Sequence, residues 1–297
     1  MKENIKKPLI FIALTFFFSW LLPTIFVLLG GNWNTAGATI MSVAYMFIPM
    51  TIAIIVQQTI YKEPVKDVLG VSWKINRWWF VAWLLPPVIA FATFGISFIL
   101  PGVQFSPEMA GMFERFKEFL TPEQVAEMQK MTAASPIHPI WFGLIQGLIA
   151  GVTLNAAVAF GEEAGWRGFL QKEFAYMGFW KSSTLIGLIW GVWHAPLILQ
   201  GHNYPQHPVT GVFMMTIFCI LASPIFSYIR LRAKSVIAAA IMHGTLNATA
   251  GLAIMVLNGG NDLTIGVTGV AGLLVLLIIN VCIFFLDRSF VSRPVEL

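Results

Sequence analysis

The chain has 297 residues, 57% hydrophobic and only 11% charged, with a formal charge of +4; an ordinary soluble domain carries about 25% charged residues. That balance excludes a soluble globular protein, and apolar runs of helical length along the whole chain exclude a barrel. The basic residues form no continuous stripe, which excludes a nucleic-acid partner and leaves the lipid bilayer with its anionic headgroups.

In chain order, Lys2, Lys6 and Lys7 precede an apolar run from Pro8 to about Leu29. The run is longer than a signal h-region and no A-x-A-like site follows, so an uncleaved first helix is expected. Seven more runs follow at roughly 36–60, 78–100, 140–171, 182–200, 209–229, 235–257 and 265–286, each near or above the ~20 residues that span a bilayer. The expected fold class is all-α, a polytopic membrane helical bundle of about eight transmembrane helices forming one integral-membrane domain over 1–297. The fourth run is overlong and is expected to tilt or to start outside the hydrocarbon. Lysines and arginines concentrate at the N-terminus, 61–77, 161–181, 230–234 and the C-terminus, while 30–35, 201–208 and 258–264 carry none. Both termini are therefore expected in the cytoplasm.

The 101–136 segment is the one sizeable extramembrane piece, with short amphipathic helices expected at Phe113–Leu120 and Pro122–Met131. Thr121 is placed as N-cap and Pro122 as first helical residue, in a solvated or interfacial connector. Cys219 and Cys282 lie inside apolar runs and are expected as small core residues. Trp73, Trp78, Trp79, Trp83 and Trp180 are expected as an aromatic belt, and His138, His202 and His207 as loop or interfacial residues.

The informative stretch is Phe160 to Arg167, where Glu162 and Glu163 are adjacent and Arg167 follows. An ionised group in hydrocarbon costs about 2.5 to 3.5 kcal/mol even on the lenient insertion scale, so such groups default to a functional reading. Measured from Lys172 at 1.5 Å per residue, Glu162 lies about 15 Å deep. The same measure puts His194 about 18 Å from Ser182, and His243 and Asn247 about 13 and 20 Å from Lys234. Groups from three helices therefore fall in one layer. Glu163 and Arg167, four positions apart, can pair on one flank while Glu162 turns about 100° away. His243 and Asn247, also four apart, point the same way. Pro196 cannot donate an amide to the carbonyl of Val192 and is expected to kink the helix beside His194. Mutual neutralisation of the three charges at a helix end is the bland reading; two histidines and an asparagine at the same depth argue for more.

Such a layer can activate water: Glu162 as general base, His194 sharing the proton, His243 and Asn247 donating to a developing oxyanion, each donor worth about 3 to 4 kcal/mol. No serine or cysteine sits in a G-x-S-x-G setting. The same residue types could form a zinc or iron shell, yet H-E-x-x-H is absent; no metal and no cofactor is assigned. A non-catalytic membrane scaffold, immunity or transport protein is the alternative of another class.

At these residues the sequence resembles the CPBP family, also called the ABI or type II CAAX prenyl endopeptidase family of intramembrane glutamic proteases. Its E-E-x-x-x-R pattern corresponds to Glu162 to Arg167, its F-x-x-x-H to Trp190–His194, and its H-x-x-x-N to His243–Asn247. The resemblance covers about 140–257, with Trp190 standing where the family has Phe. It implies Glu162 as water-activating glutamate, His194 as its assistant, His243 and Asn247 at the oxyanion, and Glu163 and Arg167 in support. It implies a membrane-anchored peptide or lipidated protein as substrate, of the prenylated CAAX class or another, and the cell membrane of a prokaryote as setting. Access to the layer is expected from the cytoplasmic side.

Overall fold

The structure, a computed structural model, describes residues 5–31, 35–116, 121–292 and 295. The first helix α1 (Lys6–Leu28) is followed by α2 (Ala36–Ile55), prolonged by a π turn at Val56–Ile60, and by α3 (Arg77–Ser97). The connector holds α4 (Ala110–Phe116) and α5 (Pro122–Ala134). Then come α6 (Pro139–Val152), α7 (Leu154–Glu163), α8 (Phe179–Trp193), α9 (Ala195–Leu199), α10 (Pro208–Ala233), α11 (Val236–Thr249) and α12 (Val270–Leu286).

Among the described residues six helices are long and apolar enough to cross a bilayer: α1, α2 with its π turn, α3, α8 with α9, α10, and α11 continued to Ala253. The chain is a multi-pass, all-α helical bundle. Two of the eight expected spans differ. The run 140–171 is broken at Thr153, whose hydroxyl takes the Ile149 carbonyl at 2.8 Å while its amide reaches back to Ala150. The side chain thereby occupies the acceptor that its own amide would use in a continuing helix. The last run yields only the 17 residues of α12, about 25 Å of helix against an apolar core of about 30 Å.

Two close approaches set the centre. A methyl group at Gly244 of α11 would lie 2.4 Å from the amide nitrogen of Ala156, and one at Gly151 of α6 would lie 2.4 Å from Thr245 Oγ1. Only glycines let α6 and α7 lie so near α11. At the end of the bundle rich in lysine and arginine, Lys7 Nζ reaches Glu63 at 2.6 Å and Glu173 at 3.0 Å, tying the start of α1 to the segments after α2 and α7. At the other end α5 meets α6 at 98°. There β1 (Gln104–Phe105) pairs antiparallel with β2 (Leu257–Asn258), joining the connector to the loop after α11.

The cap at Thr121 forms as expected, as a capping box completed by Gln124 with Pro122 at the first position. The first connector helix is placed earlier, at Ala110–Phe116, and 117–120 lie outside the described residues. The aromatic belt is only partly found. Trp73 is exposed, but Trp79 is buried and the Trp83 indole donates to the Leu148 carbonyl at 2.9 Å, so these two pack helices together. Cys219 is buried as expected, whereas Cys282 lies exposed on α12 because that helix turns this side outward.

Candidate functional site

The polar layer forms among three helical elements, two of which are locally irregular. After Glu163 the backbone widens into a π-helix over Ala164–Leu170, a distortion frequent at functional sites. It carries Arg167, whose Nη1 donates to both oxygens of Glu163 at 3.0 and 3.1 Å, with both side chains fully buried. The guanidinium lies between two rings, 4.5 Å from the centre of Trp190 and 4.7 Å from that of Phe226. A charge so buried is tolerable only with such partners.

The second irregularity is at His194, between α8 and α9. With no amide on Pro196, the backbone turns tighter and the His194 amide bonds to Gly191 instead of Trp190. The freed Trp190 carbonyl faces the His194 ring nitrogen Nδ1 at 2.8 Å. A carbonyl only accepts, so Nδ1 carries the proton and Nε2 keeps its lone pair. Trp193 O accepts the Tyr45 hydroxyl at 2.5 Å and the Trp20 indole N–H at 3.2 Å, so α1 and α2 brace the turn.

On α11, His243 is buried with Nδ1 2.8 Å from Glu163 Oε1. The carboxylate therefore serves Arg167 and the imidazole at once. Glu162 is also buried, and its Oε2 accepts the Trp190 indole N–H at 2.8 Å and that of Trp166 at 3.4 Å. Trp190 is the hub: its ring centre lies 5.6 Å from His194 and 5.5 Å from His243. The structure thus brings together Glu162, Glu163, Arg167, His194 and His243. Asn247 lies one turn beyond His243 and is exposed, at the open edge of the cluster.

Toward the basic end the elements that carry the layer are tightly packed. Trp166, Arg167, Phe169 and Leu170 on the π-helix, and Ala238 and Ala239 on α11, have no exposed surface. Bulky aromatic side chains on the π-helix and small ones on α11 fill the space between these elements. His207 sits in its loop as expected but pairs with Asp262 at 2.6 Å, and His138 caps α6 by accepting the Ile140 amide. Among the described residues no three His, Cys, Asp or Glu side chains form a metal-holding group.

Sequence reasoning missed Trp166, Trp190 and Tyr45 as polar participants. Trp166 stands four positions after Glu162, a spacing from which the contact could have been read. Trp190 stands out in the sequence only as the residue in place of the family's Phe, while its N–H is what reaches the carboxylate. Nothing in the sequence marks Tyr45. No curated protein matches the chain. Residues 135–249, which carry every polar group of the layer from Glu162 to Asn247, match the family described as type II CAAX prenyl endopeptidase Rce1-like. The segment that builds this layer is thus similar to the Rce1-like type II CAAX prenyl endopeptidase family.

Proposed function

We propose that the chain is an intramembrane endopeptidase of the glutamic type, cutting a peptide bond of a membrane-anchored substrate with an activated water. The observation that carries this reading is Glu162, a fully enclosed carboxylate with one oxygen fixed by two indoles and two imidazoles gathered around one of those indoles. Oε1, which makes neither indole contact, is the oxygen that takes a proton from water. His194 Nε2, left unprotonated by the Trp190 carbonyl, accepts from the same water and orients it. The water oxygen bonds to the scissile carbon and the carbonyl π pair moves onto oxygen.

That oxyanion receives hydrogen bonds from His243 Nε2 and the Asn247 amide. His243 holds one proton on Nδ1 toward Glu163, so it donates through Nε2 as an imidazolium, and the Glu163 carboxylate supports that charge. Collapse breaks the C–N bond, and the leaving amine takes the proton from Glu162. A carboxylic acid and an amine result; the acid's proton, the second of the water's, passes to the amine to leave a carboxylate and an ammonium, and the enzyme returns to its starting state. In this reading Glu163, Arg167, Trp166 and Trp190 are positioning residues. Both termini lie in the cytoplasm of a prokaryotic cell, in accord with the lysine and arginine distribution.

The test is Glu162→Gln in purified protein against a fluorogenic lipidated peptide. Loss of a general base lowers kcat by about 10²- to 10⁴-fold; full retained activity removes the proposal. Activity abolished by a chelator and restored by zinc would replace it with a metal-dependent hydrolase.

A further inference from the structure

We propose that Tyr45 is a positioning residue of the reaction: its hydroxyl, held out from α2, fixes the turn that aims His194 and with it the spacing between His194 and Glu162. The proposal rests on the endopeptidase reading and adds to that site a residue from outside the segment, 135–249, that matches the family.

The turn at His194 leaves one carbonyl without a helical partner. In an unbroken helix the Trp193 carbonyl would accept the Leu197 amide, but here that amide bonds to the His194 carbonyl at 3.0 Å. A buried carbonyl left unpaired is costly, so its donors have to come from other elements. They come from α2 and α1, as the Tyr45 hydroxyl at 2.5 Å and the Trp20 indole N–H at 3.2 Å. The Tyr45 contact is the shorter and is buried, whereas Trp20 is 39% exposed, so Tyr45 is the firmer hold. Its ring also packs on that of Trp193, with centres 4.2 Å apart. The carbonyl belongs to the planar peptide that leads into His194. Fixing that plane fixes the direction in which the imidazole leaves the chain.

The next residues of α2 set the other half of the pair. A methyl group at Gly161 would lie 2.6 Å from the Met46 carbonyl oxygen, and one at Gly165 would lie 2.5 Å from Pro49 Cβ. The helix therefore rests on the backbone both before and after Glu162. The Trp193 ring in turn meets that of Trp166 at 5.6 Å, and the Trp166 N–H reaches Glu162 at 3.4 Å. Two consecutive residues, Tyr45 and Met46, thus lie against the peptide before His194 and the residue before Glu162. They act as a strut of fixed length between the two groups that hold the water. A misplacement of about 1 Å in such a pair can slow catalysis about 10²-fold.

The test is Tyr45→Phe, which keeps the ring on Trp193 and deletes only the donor. Against the fluorogenic lipidated peptide, kcat is expected to fall about tenfold with KM unchanged. The ring nitrogens of His194 are read separately, by NMR of protein carrying isotope-labelled histidine, with the signals assigned by their loss in His194→Gln. In the parent Nδ1 is protonated and Nε2 bare; in Tyr45→Phe the proton is expected to be shared between the two as the ring leaves the Trp190 carbonyl. Tyr204→Phe is the control, since it deletes an equally buried hydroxyl that donates to the Thr268 carbonyl at 2.7 Å. It is expected to lower Tm and to leave kcat and the His194 signals unchanged. Should Tyr45→Phe not fold, Trp20→Phe removes the second donor to the same carbonyl and is expected to lower kcat and mix the His194 nitrogens in the same sense. Unchanged kcat, a rise in KM alone, or a fall in kcat with the His194 nitrogens as in the parent overturns the proposal. A parent that cleaves no peptide counts against the endopeptidase reading, and the His194 signals still decide whether Tyr45 fixes that ring.

Discussion

Glu163 holds both the Arg167 guanidinium and the His243 ring, which makes it the point of the layer most sensitive to substitution. Glu163→Gln leaves Arg167 as a buried charge without its counter-ion, expected to cost about 3 to 5 kcal/mol. The double change Glu163→Gln with Arg167→Met removes that charge, so thermal unfolding should recover much of the lost stability while peptide cleavage stays absent. Recovered cleavage would mean that the carboxylate has no part in holding His243. Trp190→Phe keeps a ring between Arg167 and the imidazoles but deletes the indole N–H on Glu162. One hydrogen bond to a charged group is worth about 1.5 kcal/mol, so kcat should fall about tenfold with KM unchanged, as measured by peptide turnover. The five ionisable residues that the structure gathers were legible in the sequence because ionisable groups in hydrocarbon are so costly, whereas Asn247 rested only on its spacing from His243. The indole and phenol partners were not legible, since tryptophan and tyrosine are at home in any membrane span.

The irregular segments matter as much as the regular ones. The π-helix at Ala164–Leu170 and the tight turn at His194 redirect backbone groups at the layer, and the break at Thr153 lies nine residues before Glu162 on the same element. Pro196 announced the turn at His194 in the sequence; the other two fall in stretches with no proline, where apolar periodicity reports no change of helix type. The same limit explains why 140–171 read as one helix. The approach of α11 to α7 is tight enough to be tested directly. Gly244→Ala drives a methyl into the backbone at Asn155 and Ala156, and overpacking of this kind costs about 1 to 3 kcal/mol, to be read as a lowered Tm.

Across the molecule, the salt bridges at the basic end hold the first helix in place. Glu63 accepts from Lys7 and from Gln57 at 2.9 Å. The hydrogen bond from Lys7 holds its carboxyl below the usual value of 4.5. A depressed folded pKa adds stability that is present above 4.5 and is lost as the pH falls through the folded value. Because the Glu63 side chain is half exposed, the contribution is that of a surface pair, about 0.2 to 1 kcal/mol. Glu63→Gln should therefore lower Tm by a few degrees at most at neutral pH, and the difference from the parent should shrink as the pH drops below 4.5. A pH-independent difference would assign the effect to packing. The two sulfurs described above offer one more use of the architecture. Cys219 is sealed in the interior beside His194 while Cys282 faces outward on α12. A hydrophobic maleimide dissolved in the bilayer should thus modify one thiol per folded chain and two per denatured chain, giving the protein a built-in stoichiometric gauge of its own unfolding.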